Sequence, residues 1–468
     1  MELSHRGDAF MKRVFFSLIL LVAINVCAGA GFSLVNCSEF FTEMEFVGGA
    51  PTLTPLATPQ GEFVQITLEG AAPSGEIGKP ELPVVRTIVE IPEGTQPEIK
   101  VQIEDAETLS LPEMWLPGYV YPHQAPVPKI PNPPKKFVVN WKIYSSDEPI
   151  FRQNAEIIDI SHAKDHRIAL LEFRPINYIP SEGKIIVIKS AKISVLTPDP
   201  DLNATYRMKY AHHSIYYDEA IRSDIINYDF WNLWVPPTDI EMLIITGDAS
   251  ADEVTDLAHW KRRKGFVVDI KTASELGGTA AGIKNYIQSY YDSADVDFVL
   301  LVGDVGDVPT FTGGASGSSS DNPYSELAGG DYIPDCFVGR LSLTTEAQVS
   351  EMVGRILNYE HFAFGTGTDW TQAVCLPASD DATYHGLAEN TQRYVAQTHF
   401  GPYGYTRIDT IWAYYGGTGD DVINSVNQGV MILDYTGHGY NYGWAGPEMS
   451  NSDIPTLTNS GMYPFVIS

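Results

Sequence analysis

Apolar residues in this chain follow two different rhythms, and the change falls near residue 240. From 31 to about 210 the pattern is that of strands. Segments 64–68, 86–91, 99–103 and 185–188 alternate apolar with polar residues or are rich in β-branched ones, with Pro and Gly between them. No helical period is sustained there, so this half is expected to be an all-β domain of the sandwich type. After 240, strand-length apolar runs at 242–245, 266–270, 298–302, 373–376, 405–411 and 430–433 are separated by amphipathic stretches. Those stretches are 251–264, a helix with Ile283, Tyr286, Ile287 and Tyr290 on one face, a helix after Thr345, and 388–398 and 420–426. The helix after Thr345 has a capping box to Gln348 and a stripe at Val349, Met352, Val353, Ile356 and Leu357. Such alternation predicts a doubly wound α/β parallel sheet. The chain is therefore expected to be multidomain: all-β over 31–210, a connection over 211–239, and α/β over 240–468.

The run 430–433 empties into Thr436, Gly437, His438 and Gly439, which reads as a turn. An imidazole is thereby set at the carboxyl end of a buried strand, where open α/β sheets build their sites. The flanking glycines let a substrate approach the backbone and leave N–H groups available for an oxyanion. A histidine base needs an orienting acid. Asp380 and Asp381 follow run 373–376 on the same sheet edge, and a solvated turn or helix cap is an equal use for them. A further apolar run, 464–468, comes at βα-repeat spacing. A nucleophile at its end would complete the arrangement of a caspase-type cysteine peptidase, which places that nucleophile just beyond Ser468.

Composition narrows the classes. With 44% apolar and 11% aromatic residues, packed cores are expected and disorder is not. A formal net charge of -29 excludes nucleic acid as a partner, because phosphate contacts need Lys and Arg. Residues 11–30 carry a basic start, a short apolar run and Ala28-Gly29-Ala30, so 1–30 is expected to be a secretory signal peptide. That run is too short to span a membrane, and the sequence has no other long apolar stretch. Cys37, Cys336 and Cys375 remain after cleavage, an odd and sparse set that is no disulfide framework. Cys336 and Cys375 lie in strand-like runs and read as inert buried thiols. Carboxylates at Asp304 and Asp307, with the acidic, glycine-rich stretch 320–331, suit calcium. There is no Gly-rich phosphate loop, which leaves nucleotide binding unsupported.

Several motifs occur in one order. They are Leu300-Leu-Val-Gly-Asp304, Phe337-Val-Gly-Arg340, Tyr435-Thr-Gly-His-Gly439 with Trp444, and Leu457-Thr-Asn-Ser460 followed by Pro464 and Phe465. In them the chain resembles the gingipain family of secreted bacterial cysteine peptidases. The β-rich half, with Gly78-Lys-Pro-Glu-Leu-Pro83 and Val89-Glu-Ile-Pro92, resembles that family's pro-domain. The resemblance implies a caspase-like catalytic fold made as a zymogen, with His438 as general acid and base and Asp380, or its neighbour Asp381, assisting it. It implies Gly439 in the oxyanion hole, structural Ca²⁺ near Asp307 and Glu326, and protein or peptide substrates. It also implies a pro-domain that covers the sheet edge until the chain is cut near Arg207 to Arg222. Where arginine-specific members place an aspartate on the pocket floor, the matching position is His385. A secreted binding or adhesion protein on the same scaffold is the competing reading.

Overall fold

The computed structural model describes residues 30–126, 136–231, 239–313, 317–365, 367–382 and 384–468. Nearly all of the expected signal peptide, the middle of the proline-rich stretch 121–136, expected to be an extended surface arm, and the end of the expected connection therefore lie outside the described residues. The chain divides into two compact units, Met1–Val349 and Ser350–Ser468.

The first unit opens with strands β1 (Gly31–Ser38), β2 (Phe41–Val47), β3 (Thr52–Thr58), β4 (Gly61–Thr67), β5 (Ala72–Ser74) and β6 (Leu82–Glu90). It continues through β7 (Glu98–Ser110), β8 (Ala155–Ala163), β9 (His166–Phe173), β10 (Ile176–Ile179) and β11 (Lys184–Leu196). One antiparallel sheet runs β1-β2-β11-β10 with β7 also on β11, another runs β5-β6-β9-β8, and β3 pairs with β4. In β2 every second side chain is buried, as one packed face requires. Met44 and Phe46 of β2 and Ile193 of β11 meet Val85 and Val89 of β6 and Leu171 and Phe173 of β9 in one core. The Phe46 and Phe173 rings, 4.5 Å apart, stitch the two sheets together. The expected sandwich is present.

Its expected limit at 210 is not. Strands stop at Leu196, and helices α1 (Leu202–His212) and α2 (Ile215–Ile221) follow. Asp201 and Ser214 cap them, each accepting from a backbone N–H three residues on. Aromatic packing stabilises a segment whose own period is weak: Tyr217 and Tyr228 bury against Ile168 and Ala163. The stretch read as a connection is therefore helical in part up to Trp231.

The first unit also holds a parallel sheet of β12 (Ile240–Thr246), β13 (Phe266–Thr272), β14 (Phe298–Val302) and β15 (Phe337–Leu341), in the order β13-β12-β14-β15. Helices α3 (Thr255–Arg263) and α4 (Ala280–Ala294) make its crossovers, and Ile283, Ile287 and Tyr291 of α4 enter its core. The sandwich reaches this sheet through the turn between β8 and β9. Lys164 at its tip is fully buried, and its ammonium lies 2.9 Å from Asp295, 3.6 Å from Asp297 and 2.8 Å from the Val296 carbonyl. The Lys164 backbone N–H donates to Asp335 at 2.8 Å. Nothing in the sequence marked this contact, which joins residues more than a hundred positions apart.

Helix α5 (Glu346–Glu360) runs into the second unit. Its capping is offset by one from expectation: Gln348 N–H donates to Thr345 Oγ1, while the Gln348 side chain accepts from Thr344 N–H. The second unit has strands β16 (Ala373–Ala378), β17 (Arg407–Trp412), β18 (Ile432–Asp434) and, further on, β22 (Phe465–Ile467), all parallel, in the order β17-β16-β18-β22. Helices α6 (His385–Val395) and α7 (Gly419–Asn427) cross over. A small antiparallel sheet of β19 (Gly439–Tyr440), β20 (Gly443–Ala445) and β21 (Glu448–Ser450) projects between β18 and β22. Among the described residues the parallel strands thus form two four-stranded ladders rather than the one expected. All six residues of β16 are buried, as in a strand covered on both faces. β22 departs from the buried strand that its composition suggested: Phe465, Val466 and Ile467 are each at least half exposed.

Candidate active site

In the second unit the chain leaves β16 toward one neighbour, β17, and returns to add β18 on the other side. The strand order therefore reverses between the carboxyl ends of β16 and β18, the position at which open α/β sheets place their sites. Asp380 and Asp381 follow β16, while Thr436 to His438 follow β18. Backbone bonds from Ser379 N–H to Thr436 O (3.0 Å) and from Thr436 N–H to Pro377 O (3.1 Å) hold the two exits together.

His438 is pinned through its backbone. Its carbonyl accepts from Ala445 N–H at 2.8 Å and from the Tyr435 hydroxyl at 2.9 Å. The Tyr435 ring stacks on Trp444 at 4.3 Å, so the turn closes on an aromatic pair. Gly437 is required, since a Cβ there would collide with Tyr435 Oη and Ser379 Cβ. The Ala445 bond makes Gly439 and Trp444 a non-hydrogen-bonded pair, so the Gly439 N–H points away from the hairpin partner.

The acid beside His438 is Asp381. Its Oδ2 lies 3.1 Å from His438 Nε2, and its Oδ1 accepts from Tyr384 N–H at 2.8 Å in the turn leading into α6. One side chain thus contacts both the histidine and the turn ahead of α6, although the N-cap position itself is Tyr384. Asp380, to which the resemblance gave the assisting role, points elsewhere: its Oδ1 lies against Gly446. Neighbouring residues in a turn diverge in direction, which spacing alone does not reveal. Gln392 of α6, fully buried, donates to Thr436 Oγ1 at 2.8 Å and to the Asp434 carbonyl at 2.9 Å, so the same helix braces the histidine loop. Across that loop, at the C-terminal end of β22, the Trp444 indole donates to Ser468 Oγ at 2.9 Å, and Tyr435 N–H to Ile467 O at 2.9 Å. Next to Trp444 lies a cleft of about 540 Å³, with Leu433, Met449, Ile454, Tyr463 and Val466 on its walls. His385 stacks on Tyr414 and its Nδ1 lies 3.1 Å from Glu389.

The cysteines read as inert are inert by environment. Burial pushes the Cys336 and Cys375 thiols up to about 12 and Cys37 up to about 11. At neutral pH a thiol near 12 is ionised to about one part in 10⁵, far too little for a nucleophile. Iodoacetamide is accordingly expected to spare Cys336 and Cys375 in the folded chain and to label them after denaturation. Rapid labelling of either in the native state, read by peptide mass spectrometry, would contradict this.

Asp307 and Glu326, expected near calcium, are not gathered with a third ligating side chain among the described residues. Glu326 accepts instead from the Asn322 amide at 2.6 Å, and Asp307 is exposed above Gly247 and Gly303. As a side-chain cage the pair does not fit the ion.

The profile of Peptidase family C25 matches residues 235–468, and that of Propeptide_C25 matches 36–229. Fold and profiles together define a peptidase chain that carries its own propeptide. The chain belongs to peptidase family C25, the gingipains. It is similar to Lys-gingipain of Porphyromonas gingivalis, at 26% identity over 450 residues covering 93% of this chain and 25% of that protein. Gingipain R2 of the same organism is 23% identical over 481 residues, covering 97% of this chain and 64% of that protein. The chain thus spans about a quarter of the one relative and less than two thirds of the other. The crystal structure of the Arg specific cysteine proteinase gingipain R matches at 26% identity over 49% of this chain and 54% of its own. Its TM-score is 0.45, a level at which the superposition adds nothing to the family assignment.

Proposed function

We propose that the chain is the precursor part of a secreted cysteine endopeptidase with a caspase-like catalytic fold, cleaving protein or peptide substrates. The observation that carries this reading is the contact between His438 Nε2 and Asp381 Oδ2 at the reversal of strand order, beside the end of β22. A cysteine about three residues beyond Ser468 would supply the nucleophile. The proton of its thiol goes to His438, the thiolate attacks the peptide carbonyl, and His438 returns the proton to the leaving amine. Asp381 holds the imidazolium, and the Gly439 N–H binds the developing oxyanion. The cleft beside Trp444 is large enough for one substrate side chain. Secretion follows from the expected signal peptide at 1–30 and from the family. No helix among the described residues is long and apolar enough to cross a membrane.

The sandwich and its helices act as the propeptide. Within Arg207 to Arg222 both arginines are exposed, but Arg207 lies inside helix α1, whereas Arg222 lies in the turn after α2. Processing is therefore expected after Arg222. The test is to express the coding sequence extended past Ser468, incubate it with a thiol-directed peptide ketone, and map both the label and the new N-terminus. Labelling of a cysteine shortly after residue 468 in a chain cut near Arg222 is the expected result. A chain that is never cut and never labelled would support the inactive, binding-type reading.

A further inference from the structure

Helix α6 turns an unusual face to its sheet. Its buried residues are Ala388, Glu389 and Gln392, whereas Leu387 and Tyr394 are 67% and 60% exposed. A helix that served only to cover a sheet would bury its apolar stripe. Glu389 is matched within the helix by His385. Gln392 is fully buried, and its amide is aimed at the chain leaving β18. Nε2 donates to Thr436 Oγ1 at 2.8 Å and to the Asp434 carbonyl at 2.9 Å, with Asp434 Oδ2 at 3.3 Å. His438 follows two residues after Thr436. We propose that Gln392 is a positioning residue: it clamps the His438 turn to the helix whose entry turn holds Asp381, and so sets the separation of base and acid. On the peptidase reading given above, Gln392 thus acts on His438 through Thr436.

The same amide is only half satisfied. The Asp434 carbonyl can only accept, so Nε2 must face β18, and Oε1 is then buried with no hydrogen-bond partner among the described residues. An oxygen buried in that way destabilises a fold, which an apolar side chain of the same length would not. Burial also raises the Asp434 carboxyl above its usual range, and the bond from Gln392 brings it part of the way back. Residues kept against stability mark the places where geometry matters more than packing.

Two attachments on one rigid element fix a distance. Asp381 Oδ1 accepts from Tyr384 N–H at the head of α6, and Gln392 sits about 12 Å further along the helix axis. The first point holds the acid, and the second holds the strand exit that carries the base. Backbone bonds among Ser379, Thr436 and Pro377 join β16 to β18 but leave α6 out. Without the Gln392 bonds the helix and its carboxylate pivot against the histidine turn. Misplacement of reacting groups by about 1 Å can lower a rate as much as 10²-fold.

The experiment uses the full coding sequence extended past Ser468, processed and titrated for active sites, with Gln392→Met, Gln392→Glu and Thr436→Val. Gln392→Met keeps the volume and removes the orphaned oxygen together with both donors. It is expected to melt at or above the wild-type temperature while kcat falls about tenfold and KM stays within about twofold. Gln392→Glu, equal in shape but an acceptor facing Asp434 in mild alkali, should lose at least as much turnover. Thr436→Val should match Gln392→Met, and the two combined should fall no further than the larger single loss, because both remove one bond. Full kcat in Gln392→Met, or a loss of turnover that comes with a lower melting temperature, would overturn the proposal while leaving the peptidase reading intact. A wild-type chain with no activity and no titratable thiol would overturn both.

Discussion

In the complete, processed enzyme, His438→Ala is expected to lower kcat/KM by about 10⁴-fold, since removal of the proton-transfer member disables a catalytic unit of this kind. The fold should survive. The His438 side chain is 43% exposed, and what pins the turn is its backbone carbonyl, which alanine keeps. Its melting temperature should therefore stay within about 2 °C of wild type. Asp381→Ala should cost about 10²-fold, because the imidazole loses its orienting partner while the nucleophile and oxyanion donors remain. Asp380→Ala should be close to wild type, since Asp380 faces Gly446 rather than the histidine. The order His438, Asp381, Asp380 is the diagnostic result, measured on one peptide substrate with active-site titration. Unchanged activity in His438→Ala would end the assignment, and a larger loss at Asp380 than at Asp381 would reverse the roles.

The second large effect concerns stability. Lys164→Ala should destabilise the first unit by about 3–5 kcal/mol, the cost of removing one partner from a buried ion pair. Asp297 is buried and Asp295 nearly so, and truncation at Lys164 leaves both carboxylates, with the Val296 carbonyl, facing an empty volume. Lys164→Met fills that volume but leaves the charges, so it should recover only a part. Paired variants make the test selective: adding Asp295→Asn to Lys164→Met should restore more stability than the sum of the single changes allows. Urea denaturation of the full chain, followed through its first transition, measures this. A loss below about 1 kcal/mol would mean that solvent reaches the carboxylates once the lysine is gone.

Much of this architecture can be read from spacing alone. Ile283 and Ile287 sit one turn apart and both are buried, and runs 298–302 and 373–376 became β14 and β16 because unbroken apolar stretches of that length fit a strand covered on both faces. The same reasoning singled out His438 as a candidate, since a polar residue between glycines just after such a strand has few structural uses. Helices α1 and α2 escaped it because their stability comes from caps and from aromatic contacts with distant residues rather than from a strong period of their own. The choice between Asp380 and Asp381 turned on side-chain direction in a turn. The Lys164 contact and the division of the parallel strands into two ladders are long-range facts, invisible to any local window.

Asp381 gives one oxygen to the turn that opens α6 and the other to His438, and α6 returns through Gln392 to brace the histidine loop. On the mechanism proposed above, the chemistry would therefore be geared to the integrity of one helix. Fraying of its first turn would swing the carboxylate away and slow proton transfer, although no residue touching the substrate had changed. If the proposed activity holds, heat should silence it before the chain unfolds. Lesions on the far side of α6 should register as lost turnover with substrate affinity intact.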